Sequence, residues 1–235
     1  MVIMNLDFGG KDNGNKYKIN LHKTSLQATI NNAWHTLLGY SDTYQVRAND
    51  ARVTYIEADN SFVVRFFNER YKVTLATQTI MKYLQNTLKE VEVKNEFEIV
   101  LILHYLVGAK PIEPVGELIT FRELYGGNIY YSVFYNTAIA PIGKRFATSD
   151  DTIHELLRTG HMLGGKKVSL GHGAIEVPVF PRLPITVVVW LGDDEIPGSA
   201  NMLFDKTANE HLHTEDLAKI GMMLCNKLIK CANKR

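Results

Sequence analysis

FPRLPITVVVWLGDDEIPGSANMLFD, residues 180–205, carries the clearest structural signal in the chain. Its centre, Ile185 to Leu191, is a run of β-branched and aromatic residues with the length and composition of a buried strand. Pro181 and Pro184 bracket Arg182 ahead of that run, and Gly192 stops it. Asp193, Asp194 and Glu195 then set three carboxylates at the strand's C-terminal end. Pro197 and Gly198 close the turn before a second apolar piece, Met202 to Phe204, which ends on Asp205. Acidic loops that follow buried strands are common places for a site.

Upstream, Val168 to Leu170 and Ile175 to Phe180 read as strands around the turn Gly171-His172-Gly173. Gly160, Gly165 and Lys166 match the spacing of a phosphate-binding loop, but the match fails on mechanism. Lys167 stands where a hydroxyl must hold magnesium, and the glycines finish a helix where they should follow a strand and open one. That helix starts at Ser149, Asp150 and Asp151 and turns Ile153, Leu156, Leu157 and Gly160 inward. Before it, Tyr130, Tyr131, Phe134 and Tyr135 crowd a helix that Pro141 must kink or end.

Residues 1–20, rich in Gly, Asn and Lys, read as a flexible tail ahead of one α+β domain over 21–235, with an N-terminal subdomain to about residue 75. Leu26, Ile30, Ala33, Trp34, Leu37 and Leu38 recur at helical spacing between Ser25 as N-cap and Gly39 as C-cap. Alternation over 51–75, broken at Asp59-Asn60 and Asn68-Glu69, predicts an antiparallel meander. A helix follows over Thr79 to Lys89. Phe97 to Val107 predicts a buried helix opened by Asn95 and Glu98, with His104 inside it. Thr214 caps a last helix that carries Glu215 and Asp216 in its first turn and Leu217, Ile220, Leu224 and Leu228 inside. Hairpins and helices fall in separate blocks, so the class is α+β, a mainly antiparallel sheet packed with helices in a single compact unit.

FPRLP, WLGDDEIP, LFD and TEDL in that order, with LHYL at 103–106, FREL at 121–124 and LGG at 163–165 ahead of them, resemble a family of anaerobic bacteria and archaea known only as a domain of unknown function. The resemblance covers most of residues 45–230 and brings no activity with it. Some similar proteins carry an added cysteine-rich segment of iron-sulfur type, which this chain lacks, and such relatives have Phe where this chain has Ile196.

Composition narrows the function classes. Among 235 residues, 46% hydrophobic, 26 Lys and Arg stand against 25 Asp and Glu, so a net charge of +1 steers the chain toward neither nucleic acid nor an anionic membrane. No apolar run approaches a membrane span and no signal segment opens the chain, which places it in the cytoplasm. Cys225 and Cys231, the two cysteines, are six residues apart, and about 9 Å of helix rise keeps them reduced. Zinc clusters of four cysteines are excluded by count.

Three functions compete. A ligand-binding or accessory protein would draw its pocket from Arg122, Tyr131, Phe134, Arg182, Trp190, Asp193, Asp194, Glu195 and Asp205. Arginine forks suit carboxylates and aromatic faces suit a planar ring. The company kept by relatives in anaerobic cofactor metabolism implies a carboxylate-bearing planar cofactor such as a tetrapyrrole, although the residues themselves name no cofactor. A hydrolase or lyase would use Asp193, Asp194 or Glu195 for acid-base work, or to hold a divalent metal together with Asp205, with His211 or His213 as candidates to join them. An interaction module without a pocket would pair as a homodimer or with an iron-sulfur protein.

Overall fold

The computed structural model describes residues 16–84 and 89–233. Helix α1 (Lys16–Leu38) turns Ile30, Ala33, Trp34 and Leu37 into the core, and the Gly39 N–H closes it on the carbonyls of His35 and Thr36. It begins well upstream of Ser25, whose carbonyl lies inside the helix and accepts from the Thr29 hydroxyl, so Ser25 is not the N-cap. The expected tail before Lys16 lies outside the described residues. Helix α2 (Tyr44–Ala51) ends at Arg52, which takes the left-handed conformation with φ 54°.

The first sheet is a meander of β1 (Thr54–Ile56), β2 (Ser61–Phe66), β3 (Glu69–Thr74), β4 (Thr79–Tyr83) and β5 (Glu90–Glu92), paired in sequence order. Strand alternation buries Phe62, Val64, Phe66, Tyr71 and Val73 and leaves Val63, Arg65, Arg70 and Lys72 on the outer face. Two expectations are corrected here. The helix foreseen over Thr79 to Lys89 is strand β4 as far as it is described: Ile80 pairs with Val73 and Met81 with Lys72, and this tertiary partner overrides a pattern that fits either period. Residues 85–88 lie outside the described residues. The turn between β2 and β3 is Phe67-Asn68, because Glu69 already pairs with Phe66.

Helix α3 (Glu96–Gly108) is the expected buried helix. The Asn95 side chain accepts from the amides of Phe97 and Glu98, and Val100 to Leu103, Tyr105 and Leu106 are buried against α1 and α2. Beyond a connector comes β6 (Leu118–Thr120). Helix α4 (Gly127–Phe134) then passes through a π-turn at Tyr135–Ile139 into α5 (Ala140–Phe146), whose first turn holds Pro141. The disturbance expected at the proline is therefore a change of winding just before it. Helix α6 (Asp150–Met162) starts with the capping box of Ser149 and Thr152.

Strands β7 (Lys166–Val168), β8 (Gly173–Phe180), β9 (Leu183–Trp190) and β10 (Ser199–Asp205) complete a second sheet in the order β6-β10-β9-β8-β7, and α7 (Thr214–Ala232) closes the described chain. Every strand pairing among the described residues is antiparallel, so the class is α+β with two sheets. Strand β9 lies at the centre of its sheet with Ile185 to Val189 buried. Helices α5 and α6 pack on this sheet, and α7 packs on α4 and α6. At the glycine-rich end of α6, Gly164 takes φ +81° and Lys166 pairs with Glu176 at 2.8 Å, so the loop-like motif is a helix terminus. Thr214 does not cap α7. His213 occupies that position, while the Thr214 hydroxyl donates to the Tyr125 carbonyl at 2.5 Å and accepts from Asn209 at 3.0 Å.

The two sheets meet where the Phe67 N–H donates to the Val179 carbonyl at 2.7 Å. A column of rings fills the junction: Tyr105 stacks on Phe180 at 4.2 Å, and Phe180 on Phe66 at 4.5 Å.

Candidate functional site

Pro178 stands opposite Pro184 across β8 and β9, and the register shifts between Pro178 and Phe180. Proline has no N–H to give a ladder, so the pairing opens here and the hairpin end splays toward the first sheet. Arg182 leaves this corner and runs beneath α2. Its backbone N–H donates to the Tyr105 hydroxyl, which itself donates to the Ala51 carbonyl. Its guanidinium donates to the carbonyls of Asp50 at 2.8 Å and Asn49 at 3.2 Å and ion-pairs with Glu113. Arg182 therefore adds side-chain donors to the carbonyls at the end of α2, where the Arg52 N–H already closes the left-handed turn on Ala48 and Asn49.

Arg52 lines a groove of about 530 Å³ formed by the Arg52–Thr54 segment, the outer face of β2 and β3, and the β8–β9 hairpin. Phe67, Pro178, Phe180 and Pro181 supply its apolar wall. Arg65 and Arg70 supply its charge, and they are direct partners across the β2–β3 ladder. Like charges placed opposite each other cost about 0.2–1 kcal/mol. Lys72, the next outward residue of β3, is neutralised by Asp59 at 2.5 Å. Among the described residues neither Arg65 nor Arg70 has a carboxylate partner; the Arg70 guanidinium lies 5.2 Å from the centroid of the Tyr83 ring. Arg52 meets Glu113 Oε2 at 3.0 Å. Three planar forks thus line a groove whose accessible apolar residues include Pro178 and Pro181, Phe67 and Phe180 being buried, and forks of this kind suit carboxylate or phosphate groups.

The residues singled out from sequence are divided among several places. Trp190 and the acid loop lie at one end of β9, Arg182 at the other, about 23 Å away at 3.3 Å per residue. Asp205 shares the Arg182 end, because Phe204 pairs with Ile185. Burial works against the Asp205 charge, but the amides of Thr207, Gly116 and Val115 and the Thr207 hydroxyl outweigh it and hold the carboxyl below its usual range. These contacts clamp the connector before β6.

Arg122 and Tyr131 do come together, with the guanidinium 3.8 Å from the ring centroid, but Phe134 is buried in a stack on Phe121 at 3.9 Å. In the acid loop, Asp193 Oδ1 accepts the amides of Ile196 at 2.7 Å and Glu195 at 2.9 Å, which lowers its pKa as befits a turn acceptor. Asp194 and Glu195 are exposed. His211 is buried with neither ring nitrogen bonded, whereas His213 is exposed. No group of three or more His, Cys, Asp and Glu among the described residues is placed to hold a metal ion. No helix of the described residues is long and apolar enough to cross a membrane.

Arg52, Arg65, Arg70 and Phe67 are absent from the residues chosen by sequence. Their signal lay in RFFNER, where two arginines flank a two-residue turn. Placing that turn one residue late pairs Arg65 with Lys72 and hides the juxtaposition.

No curated protein and no solved structure matches the chain. Residues 44–227, from the start of α2 into α7 and so including both sheets and the whole groove, match the family described as Domain of unknown function (DUF3786). With a match over most of its length, the chain belongs to the DUF3786 family.

Proposed function

We propose that this protein binds a planar molecule bearing carboxylates in the groove of Arg52, Arg65 and Arg70, and acts as a carrier or accessory protein for it. The observation that carries the reading is the cross-strand pair of Arg65 and Arg70, register partners that both line the cavity and have no acidic partner among the described residues. An anion that bridges them turns a repulsion into charge-assisted hydrogen bonds. The cavity of about 530 Å³ lies within the range of small-molecule sites, and Pro178 and Pro181, which are not buried, offer a flat ring an apolar surface. A tetrapyrrole with carboxylate side chains belongs to this class, in keeping with anaerobic cofactor metabolism.

An absorbance spectrum and native mass of the purified protein, followed by titration with a tetracarboxylate porphyrin, test the reading. Arg65→Ala/Arg70→Ala should weaken binding at least tenfold while the circular dichroism spectrum is kept. Equal affinity of parent and double variant overturns it.

A further inference from the structure

We infer that the ligand carries at least two separated anionic groups, and that Glu113 and Arg52 together select for the second. The inference rests on the groove as the binding site. The two oxygens of Glu113 are held unlike each other. One faces Arg182, whose side chain is 8% exposed and whose Nε and Nη2 donate to the Asp50 and Asn49 carbonyls. A buried guanidinium stripped of its carboxylate is left uncompensated, so this contact is fixed. The other oxygen meets Arg52 at 3.0 Å, where the two side chains are 61% and 58% exposed, and an open ion pair of this kind is weakly held.

The groove therefore contains two classes of guanidinium. Arg65 and Arg70 receive a first carboxylate with no acidic partner to displace among the described residues. Arg52 receives a second one only by exchange with Glu113 Oε2, and Glu113 stays on Arg182 throughout. Because the Arg52 N–H closes the end of α2, Arg52 is held in place while its partner changes. A monoanion gains nothing at Arg52, whereas a molecule already anchored at Arg65 and Arg70 presents its second carboxylate there at high effective concentration. Glu113 thereby excludes small anions from Arg52 and admits planar di- and polycarboxylates.

The test uses the full chain and two fluorescent probes, 2-naphthoate and naphthalene-2,6-dicarboxylate. The parent should bind the dicarboxylate at least tenfold more tightly than the monocarboxylate. Arg52→Asn, which keeps a residue tolerant of the left-handed conformation, should abolish that preference by weakening the dicarboxylate far more than the monocarboxylate. Glu113→Gln should tighten the dicarboxylate severalfold and by more than it tightens the monocarboxylate; should it fail to fold, Arg52→Asn decides. A preference that survives in Arg52→Asn, its absence in the parent, or a folded Glu113→Gln variant that binds like the parent overturns the inference. Arg65→Ala/Arg70→Ala separates the two levels. Loss of both probes there upholds the groove even when the preference is absent, whereas parent-like binding there, or no binding of either probe to the parent, overturns the groove itself.

Discussion

Replacing His211 with leucine should remove much of the fold's sensitivity to mild acid. The imidazole is 1% exposed, neither nitrogen has a partner among the described residues, and burial followed by the nearby Arg182 charge pushes its pKa from 6.5 down to about 4. A histidine whose folded pKa is depressed binds its proton more readily in the unfolded chain. The neutral ring's share of stability is thus complete above pH 6.5 and is lost as the pH falls toward 4. With those two values, the loss between pH 7.5 and pH 5 is about 2 kcal/mol.

Carboxylates held low, Asp205 and Glu69, begin to act only below their ordinary values of 3.8 and 4.5, so pH 5 keeps them out of the comparison. Other histidines cancel between parent and variant. Leucine fills a similar volume without burying unpaired nitrogens, so at pH 7.5 the variant should match or exceed the parent. Urea unfolding followed by tryptophan fluorescence at the two pH values supplies the numbers. Equal loss in parent and His211→Leu, or a variant weaker by more than about 1.5 kcal/mol at pH 7.5, the upper cost of a volume-conserving swap, would refute the argument.

Arg182→Lys should lower stability by about 1–3 kcal/mol, because one ammonium cannot serve two carbonyls and a carboxylate that a planar fork reaches together; an unchanged urea midpoint would show that Arg182 does not hold α2. Thr214→Ala should cost about 1 kcal/mol and raise amide exchange around Tyr125 more than in the first turn of α7, since its hydroxyl ties the Tyr125 carbonyl. Asp194→Asn and Glu195→Gln, made singly, should each move the urea midpoint by less than about 0.5 kcal/mol and leave anion titrations as in the parent. A lost ligand in either variant would return attention to the acid loop.

The central strand, the antiparallel class and the caps at Asn95 and Ser149 were legible because each is written in local chemistry: a β-branched run, alternation, or an acceptor immediately ahead of a helix. Strand β4 was not, since Ile80 and Met81 satisfy a helix as well as a strand until β3 lies beside them. Arg182 stood out for its place between prolines, but its chemistry is that of a buried brace, which depends on a helix end far away in sequence. The groove was hidden for a related reason. Its three arginines come from a helix terminus and two strands, and they converge only once a turn is placed to the residue.

The π-turn between α4 and α5 has a consequence for how this sequence can diverge. It contains one residue more than a regular helix needs. Deleting a single residue there would convert the wide turn to regular α-helix and leave the two flanking segments facing as they do now. Ile142 and Phe146 would stay in the core, and Gly143, where a β-carbon would stand 3.4 Å from the Ala200 backbone nitrogen, would keep its place beside β10. The segment can therefore lose one residue without turning the helix that follows, whereas a one-residue deletion in the regular helices on either side would rotate what comes after it by about 100°.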